Sequence, residues 1–96
     1  MNVQHKKDGR HGEFYVEVDG NTLARMTYSQ PDRNKIIIEH TEVDDTIRHE
    51  NAGYQMVDSA VQYARAHQLK IVPVCPFVKA VFDKKPEYAD VMEKIN

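Results

Sequence analysis

The chain is poor in cysteine: Cys75 stands alone among 96 residues. One thiol excludes an intramolecular disulfide framework and any zinc site built on clustered cysteines. It fits a reducing, cytoplasmic setting, where unpaired thiols persist. A surplus of charge of one sign is also missing. The formal net charge is −2, so no global field draws the chain to nucleic acid or to an anionic membrane. Uninterrupted apolar runs last only a few residues, which excludes a membrane-spanning helix. The stretch Met1 to Gly12 is polar and lacks the apolar core of a secretory signal. It is read as a lead-in, partly mobile at its start. The histidines at 5, 11, 40, 49 and 67 fall on different segments without ligand spacing, so no metal site is expected. No repeat, linker or low-complexity tract divides the chain, and its length suits one domain over residues 1–96.

What is present is clear periodicity. Glu13 to Val18 alternates and is rich in strand formers, with Phe14, Val16 and Val18 on one face. Asp19-Gly20-Asn21 is a turn signal, because these residues tolerate positive φ. Thr22 to Tyr28 reads as the returning strand, Ser29 to Asn34 as a second turn, and Lys35 to Val43 as a third strand. The period then changes. Met56, Val57, Ala60, Val61 and Ala64 form the stripe of a helix running from Ala52 to His67. Lys70 to Val74 is a short, buried strand. Its link to Val43 through a helix makes a β-α-β crossover, which places the two strands parallel and adjacent. Pro76 opens a helix carrying Phe77, Val78, Val81 and Phe82, and Pro86-Glu87 opens a last one through Lys94, with Tyr88, Val91, Met92 and Ile95 on its apolar side. The order is β-β-β-α-β-α-α, an α+β or α/β arrangement in which an antiparallel meander precedes the crossover.

Three places could carry chemistry. Cys75 ends the fourth strand and precedes a helix start, where exposed N–H groups can lower a thiol pKa. The alternative is a small buried apolar side chain. The loop Arg48 to Gly53 feeds the N-terminus of the long helix, a natural anion cradle. Gly53 permits close approach and Asn51 tolerates positive φ, whereas Glu50 repels an anion. The alternative is a solvated helix start capped by Asn51. On the third strand, alternation puts His40 and Glu42 on the face of Ile36 and Ile38, and Glu39 and Thr41 on the other. His40 could then be a general base, or pair with Cys75 as nucleophile and base, or simply be satisfied at the sheet edge. Lys79, Lys84 and Lys85 form a small basic group that a phosphate could use and that solvent could equally occupy.

His40-Thr41-Glu42-Val43, then Arg48 to Gly53, then Ile71 to Val78 with its Cys-Pro-Phe-Val, then Pro86-Glu87-Tyr88 resemble the small single-domain GCN5-related N-acetyltransferase-like proteins. The resemblance covers nearly everything from Glu13 onward. It implies a trimmed acetyltransferase fold that binds acetyl-coenzyme A and moves its acetyl group to an unidentified amine. Glu42 and Val43 would lie beside the pantetheine. The pyrophosphate would sit on the amides of Arg48, His49, Glu50, Asn51, Ala52, Gly53 and Tyr54. Cys75 would face the thioester, with His40 near it. The family loop typically reads Arg-Gly-x-Gly-x-Gly or Ala, and here His49 and Asn51 replace two of its glycines. That departure supports a second reading, a non-catalytic module with the same fold and weakened coenzyme binding.

Overall fold

The computed structural model describes residues 1–93. Five strands form one sheet in the order β1-β2-β3-β4-β5. They are β1 (Gln4–Asp8), β2 (His11–Val18), β3 (Asn21–Ser29), β4 (Lys35–Val43) and β5 (Lys70–Pro73). The first four are antiparallel to one another, and β5 runs parallel to β4. Between β4 and β5 come a 3-10 segment, Asp45–Glu50, and helix α1 (Ala52–His67). After β5 come α2 (Pro76–Lys84) and a second 3-10 segment, Pro86–Val91. The meander, the crossover and the parallel β4–β5 pair are as the periodicity predicts. The β2–β3 hairpin turns through Asp19 and Gly20, at φ 50° and 83°. Two consecutive positive φ values match the right-handed twist of the flanking strands.

The lead-in differs from expectation. Residues 4–8 are an edge strand, with His5 opposite Phe14 and Asp8 opposite His11. Its side chains are mostly exposed, so it lacks the apolar alternation by which strands are recognised. The chain end differs too. Pro86–Val91 is a 3-10 turn in place of a helix, and Met92 then bridges to Ile71 as a single extended residue. Lys94 and Ile95, expected in the last helix, lie outside the described residues.

One face of the sheet carries the core: Phe14, Val16, Ala24, Met26, Tyr28, Ile36, Ile38 and Ile71 are all buried. Helix α1 lays the expected stripe of Met56, Val57, Ala60, Val61 and Ala64 into the same buried cluster. The helix stops at Gln68, which adopts a left-handed conformation (φ 57°) and returns its N–H to the Ala64 carbonyl. Val78, Val81 and Phe82 of α2 join the cluster, and Phe82 meets Tyr88 edge-on at 6.0 Å.

A β-bulge in β4 changes which residues face this core. Tyr28 is opposite Ile38, but Thr27 is opposite His40, so Glu39 is the extra residue. Before the bulge, Ile36 and Ile38 point inward and are fully buried. After it, Thr41 lies opposite buried Met26 and Val43 opposite buried Ala24. His40 and Glu42 lie opposite Thr27 and Arg25, and both are exposed. The expected common face of Ile36, Ile38, His40 and Glu42 is therefore corrected: one inserted residue inverts the alternation.

Candidate functional site

β4 outlasts its parallel neighbour. Their pairing ends at Ile38 and Pro73, and the Cys75 N–H donates to the Ile38 carbonyl at 3.0 Å. From Glu39 to Val43, β4 pairs with β3 on one side while the chain beyond β5 turns into α2. β5 stops there while β4 continues. A cleft of about 360 Å³ opens there. Thr41 and Val43 of β4 form one wall, Asn51, Gly53 and Tyr54 at the start of α1 the second, and Phe77 of α2 the third, with Arg48 at the rim. A larger hollow of about 490 Å³ lies across Lys6, Glu13, Thr27 and Glu39, and none of the residues expected to hold a cofactor lines it.

The 3-10 segment brings the loop to this cleft. Asp44 caps it, accepting hydrogen bonds from the Thr46 N–H at 2.9 Å and the Thr46 hydroxyl at 2.7 Å. Those two bonds, the backbone one first, hold the Asp44 carboxyl below its ordinary range. Arg48 then reaches back, donating to the Val43 carbonyl at 3.2 Å and pairing with Asp45 at 3.1 Å. Its guanidinium stays largely in water, so neither contact consumes its charge. Asn51 takes the left-handed conformation (φ 60°, ψ 32°) that a glycine adopts easily and asparagine tolerates better than most residues. It occupies the cap position of α1 but makes no cap hydrogen bond through its side chain. The first turn of α1 holds no acidic residue. The first N–H groups of a helix have no partner within the helix, and they carry a partial positive charge.

The residues expected to bind a cofactor separate into groups. Val43, Arg48, Asn51, Gly53 and Tyr54 line the cleft. Ala52 is fully buried beneath them. His49 and Glu50 are exposed on the 3-10 segment and do not line the cleft, and neither does exposed Lys79 on α2. Glu42 stands on the opposite face of the sheet, across from Arg25. His40 stands on that face as well, so the expected Cys75–His40 pair is corrected to Cys75–Thr41. The Thr41 hydroxyl lies 3.3 Å from the Cys75 sulfur. Cys75 is 5% exposed, belongs to the buried cluster and does not line the cleft. Thr41 and Phe77 are the lining residues that sequence reasoning missed. Nothing local signals the bulge that turns Thr41 inward, and Phe77 looked like one more member of an apolar stripe.

The fold agrees with comparison to known proteins. The chain belongs to the GCN5-related N-acetyl-transferase family, whose model matches residues 13–91. It is similar to the solution structure of a GCN5-like candidate N-acetyltransferase from Staphylococcus aureus, with 32% identity and a TM-score of 0.74 over 99% of this chain and 92% of that one. Its fold is also similar to that of a ribosomal-protein-alanine N-acetyltransferase from Brucella melitensis biovar Abortus 2308. There the TM-score is 0.58 at 15% identity, over 94% of this chain and 67% of that one. No curated protein matches the sequence.

Proposed function

We propose that the chain is an N-acetyltransferase that binds acetyl-coenzyme A in the cleft between β4 and the starts of α1 and α2. The observation that carries this reading is the place where β5 stops. β4 runs on past β5 and leaves a cleft that ends at a helix N-terminus without a side-chain cap. The pyrophosphate would rest on the N–H groups of Ala52, Gly53 and Tyr54, with Arg48 as the mobile cation at the rim. The pantetheine amides would pair with the backbone of Thr41 to Val43. Two residues that counted against binding in the sequence count for less here. His49 points its side chain outside the cleft, and Asn51 already holds the conformation a loop glycine would take.

The acetyl group goes directly to the acceptor in this reading. The amine nitrogen attacks the thioester carbonyl, the C–S bond breaks, coenzyme A leaves as its thiolate, and the amine proton passes to a base. His40 lies on the face of the sheet opposite the cleft lining, so that base is not assigned to it. Cys75 is shielded behind Thr41 and acts as a packing residue at the start of α2. A lone reduced thiol fits a cytoplasmic setting.

Titration of the protein with acetyl-coenzyme A, read by calorimetry and by amide shifts, tests this. Shifts are expected at Thr41–Tyr54 and around Phe77. Absence of binding at about 1 mM ligand, a Kd weaker than roughly −4 kcal/mol of affinity, would overturn the reading in favour of a non-catalytic module. Cys75→Ala is expected to keep acetyl transfer to a responsive amine. An acetyl adduct accumulating on Cys75 of the wild-type protein would overturn direct transfer.

A further inference from the structure

Gly53 poses a specific question. It lies in the first turn of α1, and it is not among the positive-φ glycines, which are Gly9 and Gly20. Conformational freedom therefore does not explain the missing side chain. Space does. A Cβ on Gly53 would stand 2.7 Å from Cζ and 2.9 Å from Cε2 of Phe77. Carbon atoms in good contact stand about 3.5–4.0 Å apart, so a methyl group and the ring cannot share this place. The Phe77 ring also meets Tyr54 edge-to-face, at 5.6 Å between centroids and 72° between planes. Phe77 is half-buried, and it lines the cleft beside both residues.

We propose that Gly53 is a notch that parks the Phe77 ring, and that the parked ring is a positioning residue setting the open width of the cleft. The inference rests on reading that cleft as the coenzyme site. A methyl group at position 53 must displace the ring. Tyr54 meets the ring on one side, and the ring borders the cleft on another. The open direction is the cleft itself. A side chain at 53 therefore narrows the site without unfolding the protein. This differs from the usual reason for a glycine in a phosphate loop, where the ligand itself needs the space.

A suppressor experiment separates the two. Acetyl-coenzyme A affinity is measured by calorimetry for the wild-type protein, Gly53→Ala, Phe77→Ala and the double variant, with a thermal melt of each. Gly53→Ala is expected to weaken binding about tenfold or more, roughly the factor set by 1.4 kcal/mol. Its Tm is expected to fall by only about 4 °C or less, because a displaced surface-side ring costs little stability. In the Phe77→Ala background the same substitution is expected to change affinity by less than about threefold. Should Phe77→Ala leave too little folded protein, Phe77→Leu serves in the same cycle. An equal penalty from Gly53→Ala in both backgrounds would overturn the notch and assign the glycine to direct ligand contact. Wild-type protein that binds no acetyl-coenzyme A would overturn the function reading and the positioning role together. Binding with additive penalties overturns the notch alone.

Discussion

The two ends of this sheet solve opposite problems. At the β1 end the strands stay paired, and aromatic rings fill the space above them. His5 stacks on Phe14 with 4.3 Å between centroids and shares a 2.6 Å hydrogen bond with the Tyr28 hydroxyl, while Tyr63 of α1 abuts both aromatic rings. Gly12 has no side chain because the Tyr28 ring occupies that place. At the β4–β5 end β5 stops, and Thr41, Tyr54 and Phe77 border open space. The same chemical materials appear at both ends: a glycine under an aromatic ring, and a polar group at the rim. What differs is whether backbone pairing continues. Where it does, rings seal the core. Where it stops, they become walls.

Substitutions can break this contrast. The largest effect is expected at the closed end. Phe14→Ala removes a ring that is 2% exposed, and urea unfolding should show a loss of about 3–5 kcal/mol. Ligand affinity at the far cleft should be unchanged in the variant that remains folded. A small stability loss there would mean the aromatic cluster is decorative and the contrast false. The next effect belongs to the open end. Asn51→Val forces a β-branched residue into the left-handed region and should cost about 1–2 kcal/mol, whereas Asn51→Gly should keep stability and bind acetyl-coenzyme A at least as tightly as the wild type. Equal behaviour of the two variants would remove Asn51 from the cradle.

The smallest effect sharpens the comparison through pH. Burial, with Lys7 and His67 adding repulsion, lowers the His5 pKa below its ordinary value. The folded state therefore prefers neutral His5, which can accept from the Tyr28 hydroxyl. Burial, then Tyr63, keeps that hydroxyl protonated far above neutral pH. Stability from this source is complete above the unfolded histidine pKa, about 6.5, and is lost as pH falls through the lowered folded value. Urea midpoints at pH 7.5 and pH 5 should differ in the wild type and converge partly in His5→Gln. A midpoint that rises on acidification would reverse the sign and refute the account.

Much of the fold was legible in the sequence. Period-two runs marked β2, β3 and β4, and the stripe from Met56 to Ala64 marked α1, because side-chain alternation and helical spacing are local properties of a chain. The polar edge strand β1 was not legible, since it has no buried face to leave a pattern. The last segment folds as a 3-10 turn, and its Tyr88 hydroxyl donates to Asp58 of α1 at 2.8 Å, a contact no local pattern encodes. Half of the expected cofactor set lies in the cleft, as helix-start chemistry implied. His40 and Glu42 do not, because the bulge turns them to the other face, and Cys75 does not, because it is buried in the core.

The bulge marks the boundary between the two levels. The amino-acid order alone determined β2 to β5, α1 and α2, the α1 stripe, and the glycine and asparagine at the loop. Only tertiary structure decided which face of β4 turns inward, because that depends on a bulge in its pairing with β3, which the alternation of β4 does not encode. One extra residue at Glu39 moves Thr41 to the cleft and His40 away from it. Likewise, Gly53 is visible in the sequence as a glycine, but the ring that requires it arrives from α2, 24 positions later by residue number (77 − 53). Such contacts are made by folding, and the local spacing of residues does not contain them.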